Sequence, residues 1–382
     1  MTTTPQGPVT SSPGITSPTA LSQGAGAAPG GVPASRPASS RAGQHPRQRG
    51  PGWVKGLVRP GAGLAAVVVF QLLFASVFLG VLHRPAPHHA PVAVAGASPL
   101  ASLVARHGGG MIRLTGVPDA AAARAAVRDG RVNAAVAAGP RGETLLIETA
   151  ASPGTAAVLT KAFIPAAAAL KVPLAVRDLA PLPPSDPTGA SAFFLIIAWI
   201  LGGYVGATVV AVMLGGPRSS SLRNALLRLG LLAASAAMSG LLGALLIGPA
   251  LGVVSGYNAA LAGLGILVVA AAAAAAAGLQ AALGFPGTLL AIIALVAFGD
   301  PTAGQSIATA LLASPWNVIG QGLPPAAGLA AARCIIYLGG VNLTGPLTVL
   351  AVYAAAGTLL VLAAAAWRQH RPAGPAAAGQ TE

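Results

Sequence analysis

Charge is scarce in this chain of 382 residues: 22 Lys and Arg and 8 Asp and Glu, or 8% in all, against roughly 25% in an ordinary soluble domain. Hydrophobic residues reach 54% and the mean hydropathy is +0.73. A soluble fold cannot wet that much apolar surface with so few charges, so a water-soluble globular protein is excluded and a membrane protein is expected. Cysteine is nearly absent. Cys334 is the only one, which rules out an internal disulfide and any cysteine-built zinc or iron–sulfur centre within one chain. Acids are the rarer sign, leaving a net charge of +14. A basic surplus of this kind also accumulates on the cytoplasmic side of membrane proteins, and the positions of the charges favour that reading over nucleic-acid binding.

Residues 1–52 are Pro, Gly, Ser, Thr, Ala and Gln with few large apolar side chains, and such a segment cannot bury enough surface to fold. Basic residues gather at its end (Arg36, Arg41, Arg47, Arg49, Lys55 and Arg59), and no acid precedes Asp119. Then Leu64–Leu82 is apolar except for Gln71 and Ser76. At 1.5 Å per residue it makes a helix about 28 Å long, enough to cross the hydrocarbon core. A cleaved signal peptide competes with this reading, but its apolar core would be about 7–15 residues with a small-residue cleavage site. His83-Arg84-Pro85 follows instead. An uncleaved anchor with a cytoplasmic N-terminus is expected.

Residues 83–190 differ in kind, holding 10 of the 22 basic and 6 of the 8 acidic residues. Pro91–Ala95, Met111–Thr115, Asn133–Ala138, Thr144–Thr149 and Val172–Asp178 read as strands, and Pro99–Arg106, Ala120–Arg128 and Pro153–Leu170 as helices. Asp119 is the expected N-cap of the second helix. The alternation predicts a small α/β domain outside the membrane, with Pro181–Pro187 as a stiff connector back to it. Beyond Ser191 the chain predicts five more spans: Phe193–Leu214, Leu229–Ile247, Ala259–Leu279, Ala281–Phe298 and Pro346–Trp367. The loop carrying Arg218 and Arg223, with Arg228 expected in the next helix's first turn, has no acid and should be cytoplasmic, as should the end marked by Arg368 and Arg371. Thr302–Gly345, rich in Gly and Pro, reads as external amphipathic or re-entrant helices.

The expected fold is thus a polytopic α-helical membrane protein with six transmembrane helices and a small extracytoplasmic α/β domain between the first and second. The expected divisions are a disordered basic cytoplasmic tail (1–60), the first span (61–83), the α/β domain (84–190), a five-helix membrane domain (191–367) with an external segment at 302–345, and a cytoplasmic tail (368–382).

Chemistry-bearing motifs are few. The three lysines, Lys55, Lys161 and Lys171, do not follow a phosphate-cradling glycine loop, so ATP binding through a P-loop is not expected. His83, His88 and His89 could ligate a metal, but no carboxylate or cysteine sits beside them, and a solvated linker is the simpler reading. No nucleophile elbow is present. Asp119, Asp129, Glu143 and Glu148 could do acid/base work, yet the first two adjoin Arg124, Arg128 and Arg131, as on a solvated ion-paired face. No enzyme, cofactor or metal site is therefore expected. Small-residue surfaces at Gly202–Gly206, Gly240–Gly243 and the alanine run Ala270–Ala277 fit close helix packing.

Only Asp300 and Arg333 are charged between Leu229 and Trp367. Buried charge is costly in a membrane, so both are candidate sites. Both flank the 302–345 segment, which favours positions near the membrane surface. Arg333 is expected either to anchor helix depth by snorkelling or to pair with Asp300 and hold the external helices against the bundle.

Three stretches carry a family resemblance: Asp119–Val136 (DAAAARAAVRDGRVNAAV); Arg177–Pro183 (RDLAPLP) with Asp186-Pro187-Thr188-Gly189; and Leu323-Pro324 followed by Arg333, Tyr337 and Gly339-Gly340. In these, and in layout over about residues 62–367, the chain resembles the YhgE/Pip-like and DUF3533-type membrane proteins, relatives of ABC-2 transporter permeases, with a shorter external domain than many of them. The resemblance implies export or transport with a separate ATPase and a second copy of the chain as candidate partners, beside the lipid bilayer that the composition calls for; nucleic acid is not expected. It also makes Pro324 and Tyr337 candidate residues beside Arg333 and Asp300. A non-transporting scaffold or receptor, whose external domain binds a protein or envelope component, is the alternative.

Overall fold

The computed structural model describes residues 68–81, 87–254 and 256–370. The expected tail over 1–60, most of the flanks of the first span, His83 and the last residues from 371 lie outside them. Helix α1 is Val68–Val81. The sheet domain follows as β1 (Ala90–Ala95), α2 (Pro99–His107), β2 (Ile112–Val117), α3 (Ala120–Arg128), β3 (Ala134–Gly139), β4 (Gly142–Ile147), α4 (Pro153–Leu170) and β5 (Leu174–Asp178). Element ends fall within two residues of those expected from sequence.

Strand order is β2-β1-β3-β4-β5. Strand β1 pairs in parallel with β2 and β3, β3 pairs antiparallel with β4 through the tight Gly139–Gly142 turn, and β4 pairs in parallel with β5. A mostly parallel sheet needs cover on both faces. Leu100, Val104, Leu159 and Phe163 from α2 and α4 pack one face, and Ala123, Ala126 and Val127 from α3 pack the other. Local chemistry sets the helix starts. Ser98 accepts from the Ala101 N–H, and Asp119 accepts from the Ala122 N–H at 2.7 Å, the N-cap expected from sequence.

The remaining helices are α5 (Ala190–Met213), α6 (Leu222–Leu245), α7 (Asn258–Leu283), α8 (Phe285–Ile292), α9 (Gly299–Thr302), α10 (Trp316–Gln321), α11 (Pro324–Tyr337) and α12 (Thr344–Gln369). Helix α6 runs on as a π-turn, Leu246–Ala250, that carries Gly248-Pro249 instead of stopping there, and a second π-turn, Ile293–Phe298, joins α8 to α9. Gly284, at φ +78°, makes the sharp break between α7 and α8, so the apolar stretch expected over Ala281–Phe298 begins at Phe285.

Six helical segments are long and apolar enough to cross a membrane: Pro153–Leu170, Ala190–Met213, Leu222–Ala250, Asn258–Leu283, Phe285–Thr302 and Thr344–Gln369. Five of these correspond to the expected spans of the membrane domain, and the sixth, α4, was expected as a helix of the sheet domain. Helix α4 qualifies by length and composition, yet Leu159 and Phe163 bury it in the core of the sheet domain. The described part of the first expected span, Val68–Val81, is shorter than the six.

Helix α7 lies at the centre of the bundle, packed by α5, α6 and α12. Its alanine run lets neighbouring backbones come close. A Cβ added at Gly357 of α12 would lie 2.3 Å from the Ala274 carbonyl, and one at Gly240 of α6 would lie 2.4 Å from the Ile266 nitrogen. The small-residue surfaces are thus helix-packing surfaces.

Of the two readings of segment 302–345, amphipathic or re-entrant, the amphipathic one fails for α11. Helix α11 is not amphipathic: Pro324–Leu329 and Ala331–Ile336 are all buried. Alanine and glycine make it slim enough to slot between α5, α7 and α12, and a helix apolar on every side belongs inside protein. The stretch before it also serves the other domain, because Ile307, Leu311 and Leu312 join Val77 and Val81 in the core of the sheet domain.

Candidate functional site

The chemistry concentrates where the sheet domain meets α11. Arg333 is 5% exposed. Its Nη1 donates to the Gly304 carbonyl at 2.9 Å and more weakly to Ala151 at 3.4 Å, and its Nη2 donates to Gln305 Oε1 at 2.8 Å. Its Nε–H is buried without an acceptor. A snorkelling arginine would put its head in water or among lipid headgroups. Here carbonyls of the protein hold it, which replaces the surface-anchor expectation.

The expected pairing with Asp300 does not form. The Asp300 carboxylate makes no hydrogen bond among the described residues, and its Oδ1 is buried without a partner. The reason is the chain between them. Asp300 lies in the first turn of α9, whereas the turn after that helix presents Gly304 and Gln305 to Arg333.

Tyr337 and Pro324, the other candidates, are positioned by the same helix. The Tyr337 hydroxyl donates to Asp186 Oδ2 at 2.6 Å. Asp186 also accepts from the Ala190 and Ser191 N–H groups at the start of α5. Pro324 stands at the first position of α11, where a missing N–H costs nothing. Its neighbour Pro325 packs so tightly on Gly299 that a Cβ there would meet the ring at 2.7 Å. Arg333 and Tyr337 therefore share one junction; Asp300 lies near it unpaired, and Pro324 begins its helix.

A cavity of about 500 Å³ opens at this junction. Arg333 lines it together with Ala151, Thr309, Gln321, Ala330 and Val349.

A second polar centre lies at the opposite end of the bundle and was not expected from sequence. Arg228, placed there in a first turn, sits in the second turn because α6 begins at Leu222, and it is 1% exposed. It donates to the Pro217 carbonyl at 2.6 Å and to Gln280 Oε1, and Gln280 donates to Thr208 Oγ1 at 3.1 Å. Arg218 donates to the Leu283 carbonyl at 3.1 Å, and Arg368 donates to the Ala281 and Ser219 carbonyls. Two guanidinium groups thus cap the carbonyl end of α7, where the helix dipole favours positive charge. Gln280 in an alanine-rich helix was the available signal, because a buried amide must find partners.

The sheet-domain carboxylates do not converge on one point. Asp119 caps α3, Asp129 pairs with Arg131 on the surface at 3.0 Å, and Glu143 is buried against Ser98. Glu148 lines a small cavity with Gly130, Asn133 and Thr155. Burial, then the nearby Asp178, raises its carboxyl to a pKa of about 7. No group of three or more potential metal ligands occurs among the described residues.

No family model, no curated protein and no solved structure matches this chain.

Proposed function

We propose that the chain is a multi-pass membrane component of ABC-2 permease type, working in export or envelope transport with a separate ATPase and the sheet domain outside the membrane. The supporting observation is the cavity at the junction of the sheet domain with α11, walled by both and lined by a buried arginine. A site shared by a folded external domain and a helical bundle is where a carrier receives or gates cargo. The opposite end carries Arg218, Arg228 and Arg368, as a cytoplasmic face does under the positive-inside rule. In this orientation both termini are cytoplasmic, and the lipid-facing sides of α5, α6 and α12 meet the bilayer or a second copy.

Co-purification from native membranes in mild detergent tests the proposal. An ATPase that comes with the chain, and whose activity rises in its presence, is the expected result. Repeated recovery without any ATPase overturns it. Reporter fusions at Gly142 and Gln380 should report opposite sides of the membrane, and a shared side overturns the topology.

One observation favours a non-transporting scaffold or receptor instead. The loop between α5 and α6 is drawn onto the bundle by Arg228 at Pro217 and Arg368 at Ser219, and it raises no helix on which an ATPase could dock. In that reading an envelope component, and no ATPase, accompanies the chain.

A further inference from the structure

We infer that the junction cavity binds a single-chain amphiphile with an oxyanion head, carboxylate or phosphate, the head on Arg333 and the aliphatic chain along the small apolar wall. Three observations carry this. First, Arg333 is a buried cation with no counter-charge in contact. Its acceptors Gly304, Ala151 and Gln305 are neutral, its Nε–H is unpartnered, and the one ion pair among the described residues is elsewhere, between Arg131 and Asp129. Asp186 compensates the charge only from a distance, without contact, and a buried charge with no contacting counter-ion is costly, which makes the site ready for an anion.

Second, the carboxylates nearby are taken or out of reach. Asp186 is held by Tyr337 and the α5 N–H groups, and Asp300 makes no bond to Arg333.

Third, the cavity's size and lining select the rest of the molecule. About 500 Å³ lies within the range of small-molecule sites. Beyond Arg333, Thr309 and Gln321, the wall is largely Ala303, Ala327, Ala330, Leu338 and Val349. A small hydrophilic anion would leave that wall unused, and a neutral lipid would bring the guanidinium no contacting counter-charge. A guanidinium fork also matches carboxylate and phosphate oxygens in pairs, as an ammonium does not.

The inference rests on the membrane-embedded reading of the chain and on nothing about transport, so the site holds whether its occupant is moved or only sensed. The test uses the full chain in a neutral maltoside detergent, with palmitate, dodecyl phosphate, methyl palmitate, acetate and inorganic phosphate as probes. One palmitate or dodecyl phosphate should bind per chain. Methyl palmitate should bind about tenfold more weakly or worse, a gap of about 1.4 kcal/mol, and acetate and phosphate should not compete. Binding of only one of the two head groups supports the site and identifies its head.

Arg333→Gln should bring palmitate down to the methyl ester's affinity. Ala330→Trp, which fills the cavity and leaves Arg333 in place, should abolish binding of palmitate with the thermal unfolding transition retained. It decides the matter if Arg333→Gln does not fold. Equal affinity for ester and acid, full competition by acetate or phosphate, or unchanged palmitate binding in Ala330→Trp overturns the proposal. Failure to find an ATPase partner would end the permease reading and leave this result untouched.

Discussion

Tyr337 and Asp186, 151 residues apart, are joined by a 2.6 Å hydrogen bond that ties the end of α11 to the start of α5. The same carboxylate caps α5 through Ala190 and Ser191. One side chain thus fixes the exit from the sheet domain, the first turn of a long helix and the last turn of a buried one. Removing the carboxylate should do more harm than removing the hydroxyl. Tyr337→Phe loses one hydrogen bond to a charged group, about 1.5–3 kcal/mol. Asp186→Ala loses that bond and a helix cap worth a further ~1 kcal/mol, and strands the tyrosine hydroxyl. Thermal unfolding in detergent should place Asp186→Ala below Tyr337→Phe, and the reverse order would show that the cap contributes nothing.

Arg333 and Asp300 should respond to substitution independently. Arg333→Lys replaces a planar fork that reaches Gly304 and Gln305 together with a single ammonium. A loss of about 1–3 kcal/mol is expected as buried acceptors go unpaired. Asp300→Asn breaks no hydrogen bond among the described residues and should leave the unfolding temperature unchanged or higher. A double-mutant cycle with a large coupling between the two positions would revive the direct pair.

The sheet domain was legible in the sequence because its signals are local: short strand-like runs alternating with helical ones, and an Asp cap at 119. The long helices were legible from apolar length. Contacts across the chain were not. Asp300 and Arg333 are the two charges of an apolar stretch, and scarcity alone invited pairing them, while the true acceptors of Arg333 are mostly backbone carbonyls that no side-chain pattern reveals. Apolar length also cannot separate a membrane span from a helix packed on a sheet, which is how α4 came to satisfy the same criterion as α5. The Arg228–Gln280 centre was hidden for the opposite reason, since a basic residue after a loop already had a sufficient explanation in topology.

Two glycines of α12 should answer the same substitution with opposite sign. Alanine is favoured over glycine within a helix by about 1 kcal/mol. At Gly345 an added Cβ meets nothing within 4 Å, so Gly345→Ala should stabilise or be neutral. At Gly357 it would fall 2.3 Å from the Ala274 backbone, so α12 must move off α7 and destabilisation of about 1–3 kcal/mol is expected. Matched unfolding midpoints for the two variants would mean that α12 does not pack on α7 this closely.

Glu148 should make the stability of the sheet domain depend on pH between about 4.5 and 7. Its carboxyl stands in a small cavity beside Asn133, Ser152 and Thr155, and burial with Asp178 nearby raises its pKa to about 7, against a partial lowering by Arg128. In the unfolded chain the same group ionises near its ordinary value of 4.5. Between these two values the folded state holds a proton that the unfolded state has released, so unfolding sheds protons and stability falls as pH rises. Below the window both states are protonated and this group has no effect. Above it both are ionised and the full penalty is present. Glu148→Gln removes the proton and keeps the shape. Unfolding midpoints of wild type and Glu148→Gln should therefore be measured across pH 4 to 8 and subtracted, which cancels every contribution the two proteins share. The variant should gain on wild type progressively through the window and hold a constant advantage beyond it. A difference that does not change with pH would mean that Glu148 keeps its ordinary ionisation inside the fold.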